Sequence, residues 1–420
     1  MSSFRRLFIL ALMLVPIWTV VARGQDRVDS STLDHKFILG FQGWFACPGD
    51  GNPLGGWGHW FNGRGQATFD LLPDVSELPA KERCETGMSD RENRPVEVFS
   101  DQRYSTVLRQ FEWMRENGLD GVALERFALG LGDPKRLARA DRVLDNVRRA
   151  AEATGRVFFV QYDIAGADAA AWPAAIEADW LELMKTKKIV DSPAYLHHKG
   201  NPVVGVTGPG MQGDRPSTPE QTLEFLGQLR SESAAAGSMI TLFGTVPRGW
   251  RTLTFGPRTE PGWAKVFRSF DVISPWVVGA MREPEDIDRY ARRLLKPDLA
   301  EARRLGIDYM PVVFPGFSWS NLKNDPTQFN KFPRRCGRFA WEQATAYVSA
   351  GATMLFGAMF DEVDEGTAFF KLAPHADQSP PEPRFVSLDV DGCDLPSDWY
   401  LRVAGAISRR VKGEQAEFPR

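Results

Sequence analysis

The chain's 420 residues, 43% of them hydrophobic, suffice for one large barrel domain or two ordinary ones. With 51 basic against 54 acidic residues and a net charge of −3, it lacks the basic footprint of a nucleic-acid-binding protein. Its 13 Trp offer indole faces of the kind that stack on sugar rings, although Trp is also ordinary core material.

Residues 1–24 read as a secretory signal peptide: Arg5 and Arg6 form a basic start, 7–21 is apolar, and Ala22-Arg23-Gly24 offers small residues for cleavage. An uncleaved anchor is the alternative, but the run is short for a span of ~20 residues. No Cys follows it to carry a lipid, and no other apolar run is long enough to cross a membrane. The expectation is a secreted or periplasmic protein, with 25–420 as a single domain and no stable membrane insertion after cleavage. Export permits disulfides among Cys47, Cys84, Cys336 and Cys393, which allow three pairings. Cys47 and Cys84 share one N-terminal loop region and are the favoured pair. The cysteine spacings fit no zinc site. Asp389-Val390-Asp391-Gly392 places its Gly too early for a calcium loop, and no Glu ends it. No metal and no cofactor is expected.

In chain order, 36–44 (KFILGFQGW) reads as a first strand. A long Gly/Pro-rich stretch follows over 47–101, and its Trp and His content argues for function rather than disorder. A rhythm then sets in. Strands are expected at 120–127, 156–163, 202–207, 238–244, 271–278, 307–314 and 352–360. Helices are expected at 105–117, 136–154, 169–187, 219–236 (capped by Ser217 or Thr218), 261–269, 283–305, 336–350 and 394–411. Pro297 should break or bend its helix. Eight short Val/Ile/Phe-rich strands, seven of them followed by helical segments, fit parallel βα units. The fold class is therefore α/β, a (β/α)8 TIM barrel with a long loop insertion after strand 1. An open doubly wound sheet is the rival, but no Gly-x-Gly-x-x-Gly turn follows the first strand.

A barrel gathers the C-terminal ends of its strands at one mouth. Strand 1 ends near Gln42 and Trp44, strand 2 carries Glu125 and Arg126, and strand 3 ends in Gln161, Tyr162 and Asp163. Strand 6 carries Trp276, strand 7 leads to Trp319, and the insertion brings Trp57, His59 and Trp60 over the same end. Acids, amides and indoles around one cavity suit a polyhydroxylated ligand. Each has a plainer reading: Glu125 and Arg126 as an ion pair, Trp276 as core, the insertion's Trp and His as loop packing.

The last strand runs into Asp361-Glu362-Val363-Asp364-Glu365-Gly366. Glu362 and Glu365 are the catalytic candidates, with Asp361 and Asp364 as substrate-binding neighbours. Two carboxylates with separated pKa values divide acid and base work, as hydrolysis of a glycosidic bond requires. Residues three apart face opposite ways in a strand but the same way in a turn. The pair therefore works only if the chain curls just after Phe360, which Gly366 permits. Helix capping is the plainer reading of these acids. No Gly-x-Ser-x-Gly elbow and no phosphate loop appears.

With these residues in place the sequence resembles the glycoside hydrolase family 71/99-like proteins, also labelled xylosidase/arabinosidase-like. The resemblance rests on Gly40-Phe41-Gln42-Gly43-Trp44-Phe45, Pro48-Gly49-Asp50-Gly51, Gly58-His59-Trp60, the 120–127 strand and the 360–367 segment, and spans most of the chain after residue 24. Family 99 endo-α-mannosidases and endo-α-mannanases are (β/α)8 enzymes with a Glu-Trp-His-Glu-Gly-Thr motif after the last strand. The matching segment here is Glu362-Val363-Asp364-Glu365-Gly366-Thr367, with Val363-Asp364 in place of Trp-His. The resemblance implies an exported retaining hydrolase of an α-linked, mannan-like oligo- or polysaccharide. Glu362 would be the base on the sugar 2-hydroxyl, through a 1,2-anhydro intermediate, and Glu365 the acid on the leaving oxygen. An α-glucanase of the family 71 kind and a non-catalytic polysaccharide-binding barrel are the alternatives; the latter should lack one acid, and both are present.

Overall fold

Strand β1 (Phe37–Phe41) is five consecutive buried residues, the pattern of a parallel strand covered on both faces. The computed structural model to which it belongs describes residues 27–420, so the 1–24 leader lies outside the described residues. β1 pairs in parallel with β2 (Gly121–Phe127) on one side and, on the other, with the last barrel strand, Leu355–Gly357. From β2 the ladder continues through β3 (Val157–Asp163), β4 (Asn201–Thr207), β5 (Thr241–Pro247) and β6 (Val272–Trp276), all parallel.

Strand β7 comes in two parts, Asp308–Tyr309 on β6 and Val312–Val313 on the last strand, β8 (Leu355–Gly357). Met310-Pro311 joins the parts. The Met310 N–H still donates to Ile273 O at 2.9 Å, and Pro311 O accepts from Phe356 at 3.0 Å. Pro311 has no N–H to give, which interrupts the strand without opening the ring. The result is the eight-stranded parallel barrel that the rhythm of the chain predicts.

Helices cover the barrel. The one at Pro134–Thr154 shows the local logic: Asp133 accepts from the backbone N–H groups of Lys135 and Arg136, Pro134 takes the first turn, and Gly155 closes the end at φ 69°. The helix at Pro219–Ala235 is capped by Thr218. Pro297 does not break its helix. A widened π-turn at Ala291–Leu295 precedes it, between α-helical stretches Pro284–Tyr290 and Lys296–Leu305, and accommodates the missing N–H. Among the described residues no helix is long and apolar enough to cross a membrane.

The insertion after β1 is an ordered layer with its own aromatic core. Trp60 is 0% exposed, with its ring centroid 4.2, 4.9 and 5.1 Å from those of Phe45, Phe69 and Phe99, and its Nε1 donates to Phe99 O at 2.9 Å. An antiparallel hairpin (Cys84–Ser89 with Pro95–Val98) completes the layer, and the Cys47–Cys84 disulfide, the favoured pair, staples it. A second disulfide, Cys336–Cys393, ties the segment before the helix Arg338–Ser349 to the one before the last helix, Trp399–Val411.

Candidate active site

The site is built on the end of β8. Backbone pairing continues past the ladder, with Phe360 N–H donating to Gly40 O at 2.7 Å. The chain then curls. Thr367 N–H returns to Glu362 O (3.1 Å), Asp70 and Leu71 N–H donate to Val363 O (3.0 and 3.1 Å), and Ser318 N–H donates to Glu365 O (2.9 Å). Gly366 makes the curl possible: its φ is +68°, and a Cβ there would stand 2.7 Å from Ser318 N. From below, the buried Arg334 guanidinium donates to Gly366 O and Ala368 O at 3.0 and 2.5 Å and lies over the Tyr400 ring. The loop after β7 is clamped in turn by Asp70, which accepts from the Ser318 hydroxyl and from Ser320 and Asn321 N–H at 2.8 and 2.7 Å.

Glu362 Oε1 accepts from Gln42 Nε2 at 2.7 Å and Oε2 from the Thr367 hydroxyl at 2.5 Å. Burial, and then the nearby Glu365 and Asp364 carboxylates, push its pKa up. Glu365 is pushed up to about 7, by burial first and by Asp364 next, against the pull of Lys323 and Arg215. The two glutamates thus sense each other, the condition for one carboxyl to keep a proton while the other carries charge. Asp361 has a different task. Its two oxygens accept from Gln42 and Gly43 N–H (2.8 and 2.9 Å), which fixes the end of β1; burial raises it to about 7 despite those donors.

Register and alternation sort the remaining candidates. Glu125 and Gln161 are paired on β2 and β3, and Gln161 Nε2 donates to Glu125 Oε1 at 3.0 Å and to the hydroxyls of Thr207 and Thr245 at 2.6 and 3.1 Å. Burial and Asp163 raise the Glu125 pKa. Asp163 faces Arg215 at 3.5 Å; burial raises it and Arg215 opposes. His59 Nδ1 lies 3.1 Å from Asp364 Oδ2, and its ring stacks on Trp44 at 3.9 Å. Trp276 sits at the last rung of the β5–β6 pairing, on the same face as Ser274 and half-buried. Trp319 is half-buried, bonded through Nε1 to Gln328 and capped by Lys323 at 4.7 Å. Gln42 Oε1, Glu125 Oε2, Gln161 Oε1 and Asp364 Oδ1 are buried acceptors with no protein partner, a set that hydroxyl donors would satisfy.

Three candidates lie elsewhere. Arg126 and Tyr162 follow Glu125 and Gln161 by one residue and so point to the opposite face, into the helix layer. There Arg126 pairs with Asp179 and Asp141, and the Tyr162 hydroxyl donates to Asp179 at 2.6 Å. Trp60 is core of the insertion, as described. Conversely, Thr207, Thr245, Arg215 and Lys323 belong to the mouth without being singled out by the sequence. The two threonines lie in the C-terminal halves of their strands, where a polar residue after an apolar run is a readable signal. The two cations sit in loops with no such marker.

No protein-family model matches this chain, and no curated protein matches it. Solved structures do. The family 99 endo-α-mannosidase of Bacteroides thetaiotaomicron in complex with bis-tris-propane superposes with a TM-score of 0.64 at 13% identity, over 91% of this chain and 98% of that one. A second structure of a family 99 endo-α-mannosidase from that organism gives 0.61 at 14% identity, over 91% and 100%. A glycoside hydrolase-like protein gives 0.54 at 11% identity, over 91% and 96%. At these identities the likeness is one of fold, and it extends over nearly the whole of each chain.

Proposed function

We propose that this chain is a retaining glycoside hydrolase acting on an α-linked, mannan-like glycan. The observation that carries this reading is the pair Glu362 and Glu365: one buried and one half-buried carboxyl, each with its proton affinity raised by its surroundings, just past the C-terminal end of the last barrel strand. Likeness in fold to endo-α-mannosidases supports the same reading.

The division of labour follows from the partners. Glu362 accepts from two side-chain donors, Gln42 and Thr367, which oppose the upward push of burial and orient the carboxyl to take the proton of a sugar 2-hydroxyl. Glu365, held near 7, keeps a proton for the leaving oxygen. The orphaned acceptors of Gln42, Glu125, Gln161 and Asp364 supply partners for the remaining hydroxyls. With both acids present, hydrolysis is favoured over mere glycan binding. We also propose export, supported by the 1–24 pattern and by the pairing of all four cysteines.

The test is a panel of α-mannans and α-glucans incubated with purified protein, reading reducing-end release, with Glu362→Gln and Glu365→Gln as controls. Release that requires both glutamates is the expected result. Binding without release by the unaltered protein would make it a glycan-binding barrel instead.

A further inference from the structure

Beside the mouth, beneath the loops that follow β1 and β2, lies a cavity of about 560 Å³. Gln42 and Glu125 line one end of it, and Gln42 is the residue that donates to Glu362. Its walls have a different chemistry: Trp44, Leu54, Leu129, Leu131, Leu137 and Val143. Leu54 (43% exposed) and Leu129 (52%) are two of the five large hydrophobic side chains left exposed among the described residues, and both border this one cavity. Apolar side chains clustered in this way mark a binding surface, whereas isolated ones do not.

A further sugar ring is a poor occupant. Pyranoses stack on free aromatic faces, but Trp44 is already stacked against His59 at 3.9 Å and Phe127 at 5.3 Å. Leucine walls offer hydroxyls no partner. Of the three guanidinium groups that border the cavity, Arg126 is paired with Asp179 and Asp141 and Arg139 donates to Trp44 O, while Arg136, like the Asp214 carboxylate, is exposed to solvent at the rim. Along the apolar walls two buried donors lack an acceptor, the Trp44 indole N–H and Arg126 Nη1, while the idle acceptors of Gln42 and Glu125 lie at the end next to the mouth. Apolar walls around idle donors match a carbonyl joined to a hydrocarbon chain.

We propose that this cavity binds an acyl substituent carried by the glycan: an ester-linked short acyl group whose carbonyl accepts from Trp44 Nε1 and whose chain packs on Leu54 and Leu129. The inference rests on the glycoside-hydrolase reading and narrows its substrate to acylated glycans.

Its test is a binding measurement that needs no turnover. Titration calorimetry compares methyl α-mannoside and methyl α-glucoside in three forms: plain, monobutyrylated, and as the butyl ether. The expected result is that the butyryl ester of at least one sugar binds about 30-fold more tightly than the plain glycoside, as burial of a few carbons yields. Leu54→Asp and Leu129→Asp, at exposed positions and so without effect on the melting temperature, should cut that preference below about five-fold. Equal affinities for plain and butyrylated forms, or binding of neither, overturn the proposal. An ether that binds as tightly as the ester overturns the acyl assignment and makes the cavity a site for any apolar group. Acyl preference in a protein that releases no reducing ends sinks the hydrolase reading and leaves the acyl site standing.

Discussion

Gln42 holds two acids at once: its backbone N–H donates to Asp361 at 2.8 Å and its side-chain amide to Glu362 at 2.7 Å. The end of β1 is thereby latched to the end of β8, and the amide favours the charged form of Glu362. Replacing Gln42 with Ala removes a hydrogen bond to a charged group, a loss of roughly 1.5–3 kcal/mol that corresponds to about 10–100-fold in kcat. Gln42→Glu adds a like charge beside Glu362 and should move the acidic limb of the kcat/KM profile to higher pH. An unmoved limb would mean that Glu362 is not the base.

For the glutamates themselves, Glu362→Gln and Glu365→Gln should each lower kcat by ~10²–10⁴-fold while the proteins fold and bind glycan. A substrate with an activated leaving group needs no proton donor, so it should rescue Glu365→Gln but not Glu362→Gln. Rescue of both, or of neither, would reassign the roles.

The raised carboxyls make stability depend on pH in a definite direction. Asp361 and Glu365 are each pushed to about 7 from ordinary values of 3.8 and 4.5. A raised pKa means that the fold favours the protonated form. The contribution is therefore fully present below the unfolded values and is lost as pH rises through 7. The melting temperature should fall between pH 5 and pH 8, and Glu365→Gln, which cannot ionise, should show a shallower fall. Identical slopes in the two proteins would show that Glu365 is not buried with its proton.

Trp60 and His59 are adjacent but do different things. Trp60→Ala empties an aromatic core and should cost about 3–5 kcal/mol, seen as a lower melting temperature. The His59 side chain is 39% exposed and bonded to Asp364, so His59→Ala should raise KM for glycan with a small thermal effect. The opposite pattern would place His59 in the scaffold.

Gly366→Ala tests the curl. The new Cβ would meet backbone atoms of Ser318 at 2.7 and 2.9 Å, and the φ of +68° is unfavourable for any Cβ. A destabilisation of about 1–3 kcal/mol is expected, together with loss of activity as Glu365 shifts. A fully active, equally stable variant would show that the loop has room the present geometry denies it.

Much of this was legible in the residues because parallel strands covered on both faces leave a strong signal, as in 37–41 and 157–163, both buried throughout. The Glu362–Glu365 curl was legible because Gly366 is the residue that permits it. Arg126 and Tyr162 were misplaced because a charged or hydroxylated residue at a strand end looks functional from composition alone. The two-residue period of a strand assigns them to the far face once Glu125 and Gln161 point inward. Trp60 was misplaced because an irregular segment carries no periodicity to tell a packed indole from a displayed one. Arg215 and Lys323 reach the mouth from loops whose paths only tertiary packing decides.

The two-part seventh strand leaves the barrel with a seam. Two residues of β7 pair on each side of it, against seven between β2 and β3. Backbone breathing should therefore start there, and the amide of Met310 should exchange with deuterated water well ahead of those at 121–127. Because the seam borders β8, the strand that leads into the two glutamates, the part of the barrel freest to open is also the part nearest the proposed site.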